Sequence, residues 1–214
     1  MTDRPALSRD RIVGAAATVA DRRGLTGVSM RNVGRELGVE AMSLYHHISG
    51  KDDLLDGLAD WVFTGIDLPA LDEPWRPAMH ARAASSRGRL AAHPWALGLI
   101  ESRRNPGPAL LRHHDTVLGC LRRNGFSVAL AAHAFSAIDA YVYGFVLTEL
   151  NLPMQSGEAA DELVAEMALP FDRYPHLAEM ISVQVLGKDY SYGDEFDFGL
   201  GLILDGLEDK LAEA

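Results

Sequence analysis

Between residues 8 and 46 the chain is punctuated so closely that its local folding has few options. Ser8 precedes a helical pattern with Ile12, Ala16, Val19 and Ala20 on one face, and Gly24 stops it. Ser29 can cap a second, short helix in which Met30, Val33 and Leu37 share a face. Gly38 ends that helix, because glycine turns left-handed without strain. A third short helix follows from about Glu40 to His46. Ser49-Gly50-Lys51-Asp52 then reads as a capping box opening a fourth, with Leu54, Leu55, Leu58 and Val62 facing inward. Helices this short bury little each, so the spacing predicts a small core that the fourth helix completes.

"DLPALDEPWRP", Asp67 to Pro77, is a proline-rich break, and it sets the expected division into a head at 1–66 and a body at 67–214. After it, helical patterns run near 76–92, 95–104, 108–124, 128–150, 159–168, 177–187 and 195–212, separated by "NPGP", "NLPMQSG" and "GKDYSYGD". Hairpin signals are absent, so the chain reads as all-α, with the larger helical part in its C-terminal two thirds. The run Val128–Leu147 is long enough to span a bilayer but carries His133, Ser136 and Asp139, so it is expected to be a covered helix. The charged N-terminus lacks the apolar segment of a signal peptide, and Cys120 has no second cysteine to pair with. Both fit a cytoplasmic protein.

A net charge of −10 over 214 residues argues at first against a polyanionic partner. The distribution of that charge points the other way. Residues 1–51 hold eight Arg and Lys against five acids, a balance of +3, whereas the remainder holds twelve against twenty-five, a balance of −13. Only the head is suited to meet DNA.

The second and third helices, joined at Gly38, make a helix-turn-helix, whose second helix enters the major groove with its leading residues at base edges. Those residues are Ala41, Met42 and Ser43, able to touch a thymine methyl or, through Ser43, a base donor or acceptor. Tyr45, His46 and Lys51, with Ser29 and Arg31 at the start of the second helix, are placed to reach phosphates. From Ser8 to about Leu55 the chain resembles the DNA-binding domain of the tetracycline-repressor (TetR) family. The resemblance rests on "RIVGAAATVADRRGLTGVSMRNVGRELGV" and on "LYHHISGKDDLL", which fits that family's Leu-Tyr-x-His-aromatic-x-x-Lys-x-x-Leu signature. It implies DNA contact by these same eight residues and gives His47 a packing role. Gly34 departs from the usual alanine, at about 1 kcal/mol of helix propensity unless close packing needs the space, and Ile48 replaces a phenylalanine.

The remainder is similar to the tetracycline-repressor type of C-terminal domain through Trp75, "HP" at 93–94, "LRRNGFS" at 121–127 and "YGFVLTE" at 143–149. That likeness implies a dimerisation surface and an internal effector cavity. It does not carry over the metal-assisted tetracycline site, and no cofactor is expected. The residues themselves offer His80, Trp95, Leu99, Arg103, His113, Phe135, Asp139 and Tyr143 as cavity lining. Asp139 stands out on an apolar helix, where an unpaired carboxylate is costly. Helices 128–150 and 195–212 are expected to form the two-fold interface, with Leu200, Ile203, Leu204, Leu207 and Leu211 recurring at helical spacing. The expected protein is a homodimeric repressor that a small molecule releases from its operator. Two rivals remain: an all-α enzyme using His93, His113 or Asp139 as acid or base, and an architectural DNA-binding protein without an effector.

Overall fold

The computed structural model describes residues 6–152, 164–166, 169–188 and 190–213, and among these the regular structure is helical throughout. The pattern predicted near 159–168 lies largely outside the described residues. The chain divides into two compact units, Met1–Phe135 and Ser136–Ala214.

The first unit begins with α1 (Arg9–Arg23), α2 (Met30–Leu37), α3 (Ala41–Leu44) and α4 (Lys51–Thr64). Ser8 and Ser29 cap α1 and α2 as the sequence predicts, their hydroxyls accepting from the Arg11 and Asn32 amides. Gly38 ends α2 at φ +64°, a left-handed position. A Cβ on Gly34 would stand 3.0 Å from the Val39 carbonyl oxygen and 3.3 Å from the Ala41 backbone, so the missing side chain is the space in which α3 sits. The start of α4 corrects the expected capping box. Asp53, not Asp52, turns back to accept from the Ser49 amide at 2.8 Å and from its hydroxyl at 3.0 Å. Ile12, Ala16, Val19, Val28, Val33, Leu44, Ile48, Leu54 and Leu58 form the core of this four-helix head.

Next come α5 (Trp75–Ala92), α6 (Ala96–Ser102) and α7 (Pro108–Arg123). The connection into α5 is tied down: Asn124 accepts from the Trp75 amide and donates to the Glu73 carbonyl, while Ser85 accepts from the Asp67 amide. This accounts for "LRRNGFS", since Gly125 turns at φ +93° and drops Phe126 edge-on against Trp75, ring centres 5.0 Å apart. Cys120 packs in the same corner, its thiol pushed up by burial and by Glu73.

Helix α8 (Val128–Asn151) begins in the first unit and continues into the second, which also holds α9 (Pro175–Met180), a π-helical turn at Ile181–Val185, and α10 (Glu195–Ala212). Within the second unit α10 lies on α8, with Phe196 and Leu200 buried and Phe145 packed edge-on to Phe196. A Cβ on Gly199 would collide with the Tyr141 hydroxyl, so this glycine permits close approach. Gly201 and Gly206 have open space instead, so close packing within the chain does not explain them. The expected interface face of α10 is corrected in part, since Ile203 and Leu211 remain half-exposed. Leu200, Leu204 and Leu207 point into the chain, while Phe198 and Leu202 are 69% and 60% exposed, as Leu147 and Leu150 on α8 are also exposed.

Candidate functional site

The head presents α3 outward. Leu44 is fully buried and anchors the helix, whereas Met42 is 73% and Tyr45 48% exposed. The Ser43 hydroxyl donates to the Glu40 carbonyl at 2.6 Å, which leaves its lone pairs to accept from a partner. Arg31, His46 and Lys51 are exposed, and Ala41 is half-buried at the foot of α3. Ser29 spends its oxygen on the cap, so what it offers at the α2 terminus is backbone N–H. His47 is exposed, which corrects the packing role carried over to it; Leu44 and Ile48 do that work.

The negative charge of α4 is spent internally. Asp53 pairs with Arg9 of α1 at 2.5 Å, and the bonded guanidinium holds its carboxyl well below the usual range. Asp56 pairs with Arg103 at 2.5 Å, with Asp52 at 3.6 Å from the same guanidinium. Asp60 accepts from the Ala109 and Leu110 amides at the start of α7. A Cβ on Gly107 would strike the Asp60 carboxylate, so the loop needs glycine there to come this close.

The eight effector candidates separate into groups. Trp95 and Leu99 pack on the head core, whereas Arg103, ion-paired with Asp56 of α4, also lines a hollow shared with Phe63, Ile100 and His114. His113 and Phe135 come together instead with residues that the pattern did not reveal. His113 is 1% exposed; its Nε2 accepts from Arg82 Nε at 3.2 Å, and Phe63 lies beside it, ring centres 5.4 Å apart. The Arg82 guanidinium lies 5.4 Å from the centre of the Phe135 ring. Arginine can only donate, so His113 Nε2 is unprotonated and the neutral ring carries its proton on Nδ1. Burial, then Arg82 and His114, push the imidazole down to about 3. Among the described residues, the buried polar atoms here without a hydrogen-bond partner are His113 Nδ1, the hydroxyl oxygen of Ser86, which is 3% exposed, and one terminal nitrogen, Nη1, of the otherwise engaged Arg82. His80 is half-buried, and His80, Asp139 and Tyr143 are each engaged with neighbours, so Asp139 is not the isolated charge that its helix suggested. A hollow of about 320 Å³ is lined by Phe63, Ile100, Leu110, Leu111 and His114, and a cleft of about 620 Å³ lies against α1, α4 and the 105–108 loop.

The Bacterial regulatory proteins, tetR family profile matches residues 12–58, and the Tetracyclin repressor-like, C-terminal domain profile matches residues 68–211. The chain belongs to the TetR family. Its TetR relatives include the HTH-type transcriptional repressor DrrR1 of Streptomyces coeruleorubidus, 36% identical over 98% of this chain and 80% of that protein. Apo ActR of Streptomyces coelicolor superposes with a TM-score of 0.78 at 28% identity, over 98% of each chain. ActR in complex with actinorhodin gives 0.74 at 26% identity, over 97% of this chain and 99% of ActR. The protein is thus a ligand-responsive, DNA-binding transcriptional regulator of the TetR type.

Signals for the missed residues were present. Arg82, Ser86 and Arg89 recur at i, i+4 and i+7 on an otherwise alanine-rich helix, in line with His93 at its C-terminal end, which the sequence offered only as an acid-base candidate. This is a polar stripe where a core-facing helix would carry an apolar one.

Proposed function

We propose that the protein works as a cytoplasmic homodimer, that it holds double-stranded operator DNA through Ser29, Arg31, Ala41, Met42, Ser43, Tyr45, His46 and Lys51, and that a small-molecule effector releases it. The working division of labour is a head at 1–66 and a body at 67–214. The observation that carries the DNA assignment is the outward face of α3, where large side chains stand in water beside a fully buried Leu44. Met42 and Ser43 read bases; Tyr45 and Lys51 hold phosphates. An operator enriched from a random duplex library tests this. Lys51→Ala should weaken matched and scrambled duplexes alike and reduce the salt slope by about one. Met42→Ala or Ser43→Ala should cost about 1–3 kcal/mol on the matched duplex alone. A sequence-selective loss from Lys51→Ala would remove the assignment.

The effector reading rests on Ser86 and His113. Buried polar groups are almost always bonded, and an unbonded one costs about 1–3 kcal/mol. An effector that supplies an acceptor to His113 Nδ1 and a partner to the Ser86 hydroxyl, with its apolar part among Phe63 and Phe135, recovers that cost. ActR, with its actinorhodin complex, supports a body that takes a small molecule. Asp139, Tyr143 and His80 remain in the proposed set. The enzyme reading loses support, because His93 is bonded at both ring nitrogens and His113 is a neutral ring that keeps its proton.

A further inference from the structure

The polar stripe on α5 does not end at the effector residues. One turn beyond Ser86, Arg89 lies 3.8 Å from the centre of the Trp61 ring of α4 and donates to the Val62 and Trp61 carbonyls. Its Nη1 is 3.0 Å from His93 Nε2. Arginine only donates, so Nε2 accepts and His93 carries its proton on Nδ1. That N–H donates to Asp21 Oδ1 at 2.7 Å. The same oxygen accepts from the Trp95 indole N–H at 2.6 Å. Asp21 belongs to α1 of the head, whereas His93 and Trp95 form the corner between α5 and α6. A single carboxylate oxygen is therefore gripped by two ring N–H groups more than seventy residues away in sequence, and the grip is continuous with the helix face that bears Arg82 and Ser86.

We propose that Asp21, His93 and Trp95 are positioning residues for operator binding: they fix the head at one angle to α5, and displacement of α5 at its Arg82–Ser86 end acts on DNA through them. Asp21 lies on α1, away from the DNA-facing α3, and its contribution is geometric. A full operator needs two heads at a set separation, while half a site needs one head of any orientation. Loss of the grip therefore weakens the full site and spares the half.

The test compares duplexes carrying one and two half-sites, both derived from the sequence enriched by the wild-type protein. Asp21→Ala and Trp95→Phe should each weaken the two-half-site duplex by about tenfold, within the range usual for coupling between sites, and leave the single half-site within twofold. Asp21→Asn keeps an oxygen acceptor for both rings and should restore most of the loss. Equal loss on both duplexes would show that Asp21 merely supports the head's fold. Unchanged affinity on both would show that the grip is idle. Either result overturns the proposal. A wild type that binds the two duplexes equally would defeat the dimeric reading above, and the proposal with it, before any variant is made.

Discussion

His113 shows how one buried side chain sets a pH dependence. Its folded imidazole takes a proton only near pH 3, against an ordinary value of 6.5, because burial and the Arg82 charge both oppose a second cation. Between those values the unfolded state binds more protons, so stability is full above about pH 6.5 and declines as pH falls. His113→Gln should flatten that decline. Denaturant titrations at pH 7 and pH 5 should show wild type losing about 2 kcal/mol more than the variant over this interval. Equal losses would mean that the ring protonates in place. Asp53 acts in the same direction lower down: its depressed carboxyl contributes above about pH 4 and less below, and its partial exposure keeps that contribution small.

At the scale of elements, the capped and glycine-stopped helices of the head are plain in the sequence, because caps and left-handed stops are local chemistry. Ser8, Ser29 and Gly38 all act as their positions predict. What is not legible depends on contacts remote in sequence. Trp95 resembles a cavity residue because it is amphipathic, but Asp21 claims it from far along the chain, and Arg103 lines a hollow while its guanidinium pairs with the equally remote Asp56. Asp139 looks unpaired because a single helix says nothing about its neighbours. Leu200, Leu204 and Leu207 of α10 have the spacing of a partner-facing stripe, yet they are buried within their own subunit. Gly34 lies between these cases, since its propensity cost is visible in the sequence and its reason, the backbone of α3, is not. The turn at Gly38 gives a direct test. Alanine at φ +64° should cost about 1 kcal/mol, lowering Tm by about 2–4 °C, while far-UV circular dichroism stays unchanged. An unaltered Tm would show that the turn relaxes without penalty.

For the molecule as a whole, the deciding surface is what α8 and α10 leave uncovered. Phe198 and Leu202 are largely exposed, so charges placed there should leave the subunit folded, unlike charges at the buried Leu204 and Leu207. Phe198→Glu with Leu202→Glu should convert a sedimenting dimer into a folded monomer at micromolar concentration, and operator affinity should fall to that of a single half-site. A dimer that survives both changes would place the two-fold axis elsewhere.

If those side chains are covered only by a second copy, mass action enters the energetics of each chain. Association stabilises the folded state by an amount that grows with the logarithm of protein concentration, so dilution alone lowers Tm. Each subunit's survival then depends on how many others are present, and a repressor at scarce copy number is lost by unfolding sooner than an abundant one.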